Sequence, residues 1–416
     1  MQRYLTTVAA GLLFMAMASL LLVGGCAMFE PKETLAAPVM ELDGRLVESI
    51  SGFGFNLLHQ LRLEKPQENI LISPASVATA LAMTYNGAGG DTARAMAEAL
   101  LLQGMRPEEV NKAFADLQTI LQNPDPQVEL SMANSLWARE GVPFNEDFLQ
   151  RSRDYFDAEI TQLDFNLPGA AGAINDWVKE KTKGKIDQMV QAPIDPLTVL
   201  FLLNAIHFKG HWSVPFDEQK TRDMPFTLEE GTVIEHPVMF SEGDYRILQT
   251  DSFQAAALPY GKNGRVNMYL FLPALDSSLA GFYAELNREN WDSWMKSFRE
   301  QQAEIGLPRF KFGFEATLND ALKALGMGPA FDPGTADFSG MRSQADLYIS
   351  EVKHKTFIEV NEEGAEAAAA TSVEMRLTAM PEVFTLIIDR PYFFAIVDDQ
   401  TGAILFMGSV SDPSAG

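Results

Sequence analysis

The chain has 416 residues, with 32 basic and 56 acidic side chains, 47% hydrophobic residues and 28 phenylalanines. This composition can bury a large core and excludes an intrinsically disordered chain. The net charge of −24 argues against nucleic acid as a partner, because binding to phosphates needs clustered lysine and arginine. The single cysteine excludes an intrachain disulfide framework and any site that needs two thiolates.

Residues 1–25 are predicted to be an export signal. Arg3 is their only charged residue, and an apolar run follows at residues 11–23. This run is too short for a comfortable membrane span of about 20 residues, and its layout is that of a secretory signal. The small residues before Cys26 resemble a bacterial lipobox, in which the cysteine is acylated and becomes the new N-terminus. We therefore expect a cell-envelope lipoprotein, periplasmic or on the outer surface. A plain signal peptide, with an incidental Cys26 and an extracellular product, is the alternative.

Residues 26–41 are predicted to be a flexible tether, since they contain two prolines and alanine-rich steps. Helical spacing of apolar residues then predicts four helices, at residues 42–63, 73–85, 92–102 and 107–121. Ser73 and Pro74 are the expected cap and first-turn residues of the second helix. Asp91 is expected to cap the third.

Strands are predicted further along the chain, where β-branched or aromatic runs are bounded by turn residues. They lie at residues 130–137, 158–164, 198–208, 266–272 and 384–389, followed by a strand–turn–strand at 391–397 and 403–407. Helices come early and strands late, without strict βαβ alternation. This order favours the α+β class in one large unit.

Residue types common in enzyme sites are present but form no known motif. His207 and His211 have the spacing of two metal ligands on one helix face, but the apolar run before them indicates a buried strand. The chain contains no His-Glu-x-x-His, no Gly-x-Ser-x-Gly, no phosphate loop and no dinucleotide fingerprint. We therefore expect no enzymatic activity, no catalytic residue, no metal site and no cofactor.

Residues 361–380 contain a conflict between local propensity and pattern. The alanines after Glu366 favour a helix. From Ala365 to Leu377, however, small or apolar residues hold every odd position and all charges lie at even positions. Such period-two alternation predicts a strand with one buried face. An ordinary surface helix or an alanine-rich loop is the alternative.

This segment resembles the proximal hinge of inhibitory serpins, and the resemblance covers residues 42–413. Similar stretches occur in the same order at residues 69–76, 175–186, 204–216, 389–393 and 405–408. The matching hinge residues are Glu362, Glu363, Gly364, Ala365, Glu366, Ala367, Ala368, Ala369, Ala370 and Thr371. Ala365 stands where the family more often has threonine or serine, but it is still small.

The resemblance implies the serpin fold, an α+β architecture with helices packed around a large central mixed β-sheet. It also implies two smaller sheets and an exposed reactive-centre loop at residues 362–385. In this family a serine protease, or in some cases a cysteine protease, attacks the loop and is acylated. The cut loop then inserts as a new strand of the central sheet and traps the enzyme. The alternation described above is what such a strand requires.

The reactive bond is expected between Thr378 and Ala379. Thr378 lies fourteen residues beyond Gly364, which is the family's usual spacing. A small residue after Leu377 suits elastase-like or subtilisin-like proteases. Leu377 and Arg376 are alternatives for the cleaved residue, and Arg376 would indicate trypsin-like targets.

The resemblance also assigns structural roles. Ser73, Ser76, Asn204 and His354 match the shutter beneath the opening sheet, and Trp212, Arg309 and Glu362 match the breach where insertion begins. The helix at the heparin-binding position, residues 107–122, holds Lys112 as its only basic residue, so we expect no polyanion cofactor. We expect a monomer, tethered to a membrane only through its lipid.

Two functions remain open at this point. The first is inhibition of a protease, and the second is a non-inhibitory binding or chaperone-like role as a surface lipoprotein. Non-inhibitory family members tend to carry bulky or charged hinge residues. The small hinge residues of this chain therefore favour inhibition.

Overall fold

The computed structural model describes residues 42–122, 124–344, 347–365 and 383–415. Its helices in these ranges are α1 (Gly44–Glu64), α2 (Pro74–Tyr85), α3 (Gly90–Ala99), α4 (Pro107–Leu121), α5 (Glu146–Phe156), α6 (Ala170–Lys181), α7 (Leu279–Glu285), α8 (Arg288–Ser297) and α9 (Asn319–Leu322). None of the described helices has the length and apolar character needed to cross a membrane.

The predicted helix starts are confirmed at α2 but not at α3. Ser73 caps α2, since its side chain accepts a hydrogen bond from the Ser76 amide. Asp91, by contrast, does not cap α3 but lies in its first turn, and Gly89 is the cap residue. The Gly89 amide donates to the carbonyl of Asp337 at 2.8 Å, so a contact with a distant loop sets this helix start.

The strands are β1 (Ile70–Ile72), β2 (Val128–Arg139), β3 (Glu159–Leu163), β4 (Leu200–His211), β5 (Arg222–Thr227), β6 (Val233–Gln249), β7 (Phe253–Tyr260), β8 (Val266–Pro273), β9 (Arg299–Pro308), β10 (Phe310–Thr317), β11 (Glu351–Val360), β12 (Gly364–Ala365), β13 (Phe384–Ile387), β14 (Tyr392–Asp398) and β15 (Ala403–Val410). Every strand predicted from the sequence is present, with shifted ends.

Six of these strands form a mixed central sheet. Its order is β10-β11-β4-β2-β3, and β12 pairs with β4. The β11–β4 and β2–β3 pairs are parallel, and the other pairs are antiparallel. The expected α+β class and the large mixed sheet are confirmed.

The other strands form one hydrogen-bonded sheet in the order β1-β15-β14-β8-β7-β6-β9-β13, with β5 paired to β6. Two smaller sheets were expected here. The structure has one continuous sheet in their place, because the 17-residue strand β6 pairs with β7 and with β9 along overlapping stretches and so joins the two parts.

Strand β4 is buried on both faces, which explains its continuous apolar sequence. Leu202 and Ile206 belong to the main hydrophobic core. Leu203 and Ala205 belong to a second cluster with Val178 of α6. The centre of the sheet is therefore covered on one face by the main core and on the other by α6.

Candidate functional site at the opening of the central sheet

The candidate site is the boundary between β4 and β11. The two strands pair in parallel over seven residues each, and the last pair is Phe357 opposite His207. β11 then continues to Val360 and β4 to His211, with no further pairing between them in the described chain. The sheet is thus closed along most of this boundary and open at one end.

The two-residue strand β12 occupies the open end. It pairs antiparallel with β4, which places Gly364 opposite His211 and Ala365 opposite Gly210. Gly364 has a φ of +136°, and a Cβ at this position would lie 2.1 Å from the Gly210 carbonyl oxygen, so only glycine fits. Ala365 is 1% exposed and belongs to the main core.

Ala365 is the first inward-facing position predicted for the alternating segment, and it is buried as the pattern requires. The later positions of the hinge, the reactive bond and the lipidation site are not among the described residues. The hinge residues Glu366, Ala367, Ala368, Ala369, Ala370 and Thr371, the reactive-bond residues Arg376, Leu377, Thr378 and Ala379, and the cysteine Cys26 lie outside the described residues.

The residues assigned to the breach meet next to β12. Glu362 Oε1 accepts hydrogen bonds from Arg309 Nε at 2.8 Å and from Thr221 Oγ1 at 2.5 Å. The Trp212 indole donates to the carbonyl of Asn361 at 2.9 Å. These contacts fix the chain just before Gly364.

The charge of Glu362 is stabilised at this position. Burial opposes its ionisation, but hydrogen bonds from Arg309 and Thr221 outweigh that effect and lower the pKa of Glu362 below its ordinary value. Trp212 packs flat on Tyr260, with ring centroids 4.2 Å apart. The sequence did not indicate Thr221 or Tyr260, because both come from elements distant in the chain.

The four residues assigned to the shutter also lie together, beneath the closed part of the boundary. Asn204 Nδ2 donates to Ser76 Oγ and to Asn134 Oδ1, each at 2.5 Å. Asn204 Oδ1 lies 2.6 Å from His354 Nδ1, and His354 Nε2 lies 3.2 Å from the backbone nitrogen of Ser73. His354 and Asn204 face each other in the parallel β11–β4 pairing. The network therefore bridges β4 and β11 across the closed part of their boundary.

The partners of His354 define its protonation state. The Ser73 amide can only donate, so Nε2 of His354 accepts and Nδ1 carries the proton that Asn204 Oδ1 accepts. Burial lowers the pKa of His354 to about 3. A proton added at Nε2 would also point at the N–H of Ser73, so that two donors would face each other without an acceptor. His354 is thus a neutral link of the closed sheet.

Asn134 is a member of this network that the sequence did not indicate. It lies directly opposite Asn204 in the β2–β4 register. The predicted strand at residues 130–137 contains three polar residues, Ser131, Asn134 and Ser135, and only the strand register shows which of them faces Asn204.

The spacing of His207 and His211 does not place them on one face of a helix. They lie on a strand, and His207 packs against Phe357 with ring centroids 6.5 Å apart. Burial, aided by the nearby Lys185, lowers the pKa of His207 to about 4. No group of three or more His, Cys, Asp or Glu side chains in the described part of the chain could hold a metal ion.

Comparisons with known proteins bear on this arrangement. A family model described as serpin (serine protease inhibitor) matches residues 48–413. Serpin B6 from Macaca fascicularis is 36% identical over 377 residues, covering 88% of this chain and 99% of that protein. The thermophilic serpin tengpin in its native state superposes with a TM-score of 0.83 at 33% identity, covering 89% of this chain and 95% of tengpin. Human thyroxine-binding globulin complexed with thyroxine gives a TM-score of 0.81 at 28% identity, covering 88% of this chain and 98% of that one.

Proposed function

The chain belongs to the serpin family, whose members are generally protease inhibitors, and on this premise we propose that it is a suicide-substrate inhibitor of serine endopeptidases. Cysteine endopeptidases form a second target class. The observation that carries the proposal is the position of Ala365. It is already paired with β4, beside seven residue pairs that still hold β4 and β11 together.

The register of β12 supports insertion of the rest of the hinge. If the antiparallel pairing continued along β4, Ala367 would face Phe208, Ala369 would face Ile206 and Thr371 would face Asn204. Phe208 and Ile206 belong to the main core, so the small hinge residues would enter where space is least. Thr371 would bring a hydroxyl to the polar network around Asn204.

Insertion would also release free energy. Val373 would come opposite Leu202 on the core face by the same register. Burying a valine or methionine side chain stabilises by about 1.5–3 kcal/mol as an upper estimate. The new strand would in addition pair with both β4 and β11. The uncut loop would therefore be a metastable state held by the closed boundary and released by cleavage.

The chemistry of inhibition belongs to the protease. Its nucleophile attacks the carbonyl carbon of Thr378, the amine of Ala379 leaves, and the enzyme is held as an ester to Thr378. Insertion of the hinge then moves the attached enzyme away from its docking position before water can hydrolyse the ester. No residue of the inhibitor acts as a catalyst in these steps.

The small residue Thr378 after Leu377 suits elastase-like or subtilisin-like proteases, which have shallow pockets. Cleavage after Leu377 would suit similar enzymes, whereas cleavage after Arg376 would indicate trypsin-like ones. Residues 1–25 and Cys26 support an exported protein that is anchored to the cell envelope by acyl chains. The proposed inhibitor would thus act on proteases outside the cytoplasm.

The deciding experiment is incubation of the chain lacking residues 1–26 with elastase, subtilisin and trypsin. We expect a band at the summed mass that survives denaturing gel electrophoresis, formed with elastase or subtilisin. N-terminal sequencing of the released peptide should begin at Ala379. Cleavage without any such band, across the whole panel, would contradict inhibition and favour a non-inhibitory binding role.

A further inference from the structure

A cavity of about 430 Å³ lies between four helices at the C-terminal end of α2, on a part of the molecule that the proposed inhibitory mechanism does not use. Tyr85 at the end of α2, Pro107 and Asn111 of α4, and Arg151 and Tyr155 of α5 line it. Its volume lies in the range of small-molecule sites, which is about 300–1,000 Å³.

Several polar groups of this cavity have no partner in the described chain. Arg151 Nε is shielded from solvent and has no acceptor, and Arg151 Nη2 makes one long contact of 3.4 Å to the carbonyl of Asn86. Within the same described residues, the hydroxyls of Tyr85 and Tyr155 take part in no hydrogen bond. A guanidinium normally makes several hydrogen bonds, so its donors are under-used here.

The floor of the cavity is rigid. Asn86 and Asn111 donate to each other's side-chain oxygens at 2.6 and 2.8 Å. Asn86 Nδ2 also donates to the carbonyl of Ala82 at 3.1 Å, whereas the second N–H of Asn111 has no described acceptor. Asn111 is 4% exposed. The cavity therefore places the guanidinium of Arg151 beside a fixed pair of amides.

The donors and the start of α4 favour a negative group, whereas the end of α2, at Tyr85, opposes it. Arg151 is the cationic side chain among the lining residues, and α4 begins at Pro107, so its partial positive charge lies at the cavity wall. Pro107 and the two tyrosine rings offer apolar surface beside these donors. Glu108, exposed at the rim, would oppose a doubly charged phosphate more than a single carboxylate.

We propose that this cavity binds a small organic carboxylate with an aromatic or apolar body. The carboxylate accepts hydrogen bonds from the terminal nitrogens Nη1 and Nη2 of Arg151, since Nε is shielded, and the body packs between Tyr85 and Tyr155. Arginine suits this role because its planar donors match both carboxylate oxygens.

The ligand would also act on the sheet boundary through α2. One end of this helix borders the cavity at Tyr85, and the other end carries Ser76, which contacts Asn204 at the shutter. A ligand that binds the native arrangement stabilises it by mass action. We therefore expect the bound carboxylate to raise the temperature of the first unfolding transition.

The test is isothermal titration of the whole mature protein with matched probes, indole-3-acetate and indole-3-acetamide, and with benzoate and octanoate as further carboxylates. We expect indole-3-acetate to bind at least about tenfold more tightly than the amide, because charge-assisted hydrogen bonds are the stronger ones. Arg151→Gln should remove this preference, and Glu108→Gln should increase it. Inorganic phosphate should not compete at equal concentration.

Arg153→Gln is the matched control, since Arg153 lies two residues after Arg151 in α5, is exposed, does not line the cavity and pairs with Glu146 at 2.8 Å. Circular dichroism must show that each variant is folded, and Arg151→Met, which also lacks the charge, serves in place of Arg151→Gln if the latter is not. Equal binding of acid and amide, or an unchanged preference in the Arg151 variant, overturns the proposal. So does the absence of binding by all three carboxylates at 10 mM, a concentration that would nearly saturate a site with a Kd of about 1 mM.

Discussion

Arg309 holds Glu362 by two donors at once, since Nε and Nη2 lie 2.8 and 2.5 Å from the same carboxylate oxygen. The Glu362 side chain is 5% exposed, whereas that of Arg309 is 44% exposed. The pair therefore fixes a buried carboxylate two residues before Gly364, where β12 begins. It ties the start of the hinge to the residue between β9 and β10, whose amide donates to the carbonyl of Pro237 in β6, while Ala365 already pairs with β4.

The first prediction concerns this ion pair. Glu362→Gln keeps the size of the side chain but removes the charge that two donors of Arg309 and one of Thr221 stabilise. We expect the free energy of unfolding of the uncut protein to fall by about 1.5–3 kcal/mol, the range for hydrogen bonds to charged groups. The midpoint of the first transition in urea measures this change.

The matched control for this prediction is Glu359→Gln. Glu359 pairs with Lys311 at 3.0 Å, with side chains 28% and 61% exposed. We expect a loss below about 1 kcal/mol, as for other exposed pairs. Because the pKa of Glu362 is lowered, its contribution should be present above the ordinary glutamate range and disappear as the pH falls below it. Equal losses in both variants would contradict a special role for Glu362.

The second prediction concerns the pH dependence of the closed sheet. Folding lowers the pKa of His354 from 6.5 to about 3, so the unfolded chain takes up the proton first as the pH falls. Stability should therefore decrease from pH 6.5 downward, by about 2 kcal/mol between pH 7 and pH 5 from this residue. His354→Gln should lower the stability at pH 7 but flatten its decline between these two values.

His59→Gln provides the comparison, because His59 is exposed on α1 and makes no contact with the network. The loss of unfolding free energy between pH 7 and pH 5 should be the same in this variant as in the unmodified protein. His207 shifts in the same direction as His354, so the decline in His354→Gln should be reduced but not abolished. If His354→Gln kept the full decline, the neutral bridge at the shutter would be wrong.

Local signals predicted some elements well and others not at all. Pro74 and Pro107 mark the starts of α2 and α4, because proline suits the first turn of a helix. β6, in contrast, contains Pro237 and Gly243, which argue against a long strand. Its pairing with β5, β7 and β9 outweighs those preferences. β10 was not among the predicted strands, although its sequence contains a strand pattern: its phenylalanines alternate with residues that are exposed in the structure.

At the candidate site, too, some residues could be predicted from the local sequence and others could not. The hinge could be identified from contiguous residues, and Ala365 was predicted to face inward from its place in the alternation. Asn134 and Thr221 could not be identified, because their partners Asn204 and Glu362 lie 70 and 141 residues away. Such contacts are set by strand register and by the course of the chain, which no local pattern specifies.

The third prediction tests the register of insertion. Ala365→Arg would place a long charged side chain at a position that is 1% exposed and opposite Gly210. Burying an unpaired charge is strongly unfavourable, so insertion should stall. We expect the variant to be cleaved by the target protease while forming less than about a tenth of the stable complex, since 1.4 kcal/mol already changes a ratio tenfold.

Glu366→Gln is the control for this substitution, because the alternation places residue 366 on the opposite face of the inserted strand. This variant should form complexes at nearly the unmodified yield. Complex formation is quantified by denaturing gel electrophoresis, and cleavage by mass spectrometry of the released peptide. Wild-type yield in Ala365→Arg would show that the proposed register is displaced by one residue.

The last prediction identifies the reactive bond. If the protease is acylated by Thr378, then Thr378→Arg should convert the protein into an inhibitor of trypsin and weaken its reaction with elastase. We expect the association rate with trypsin to rise by at least about 100-fold, because a pocket built around a carboxylate discriminates strongly for arginine. Arg376→Gln should leave the reaction with elastase unchanged. The contrary result is that the unmodified protein traps trypsin and that Arg376→Gln abolishes this trapping. The reactive bond would then lie after Arg376, because the residue in trypsin's specificity pocket decides whether trypsin is trapped.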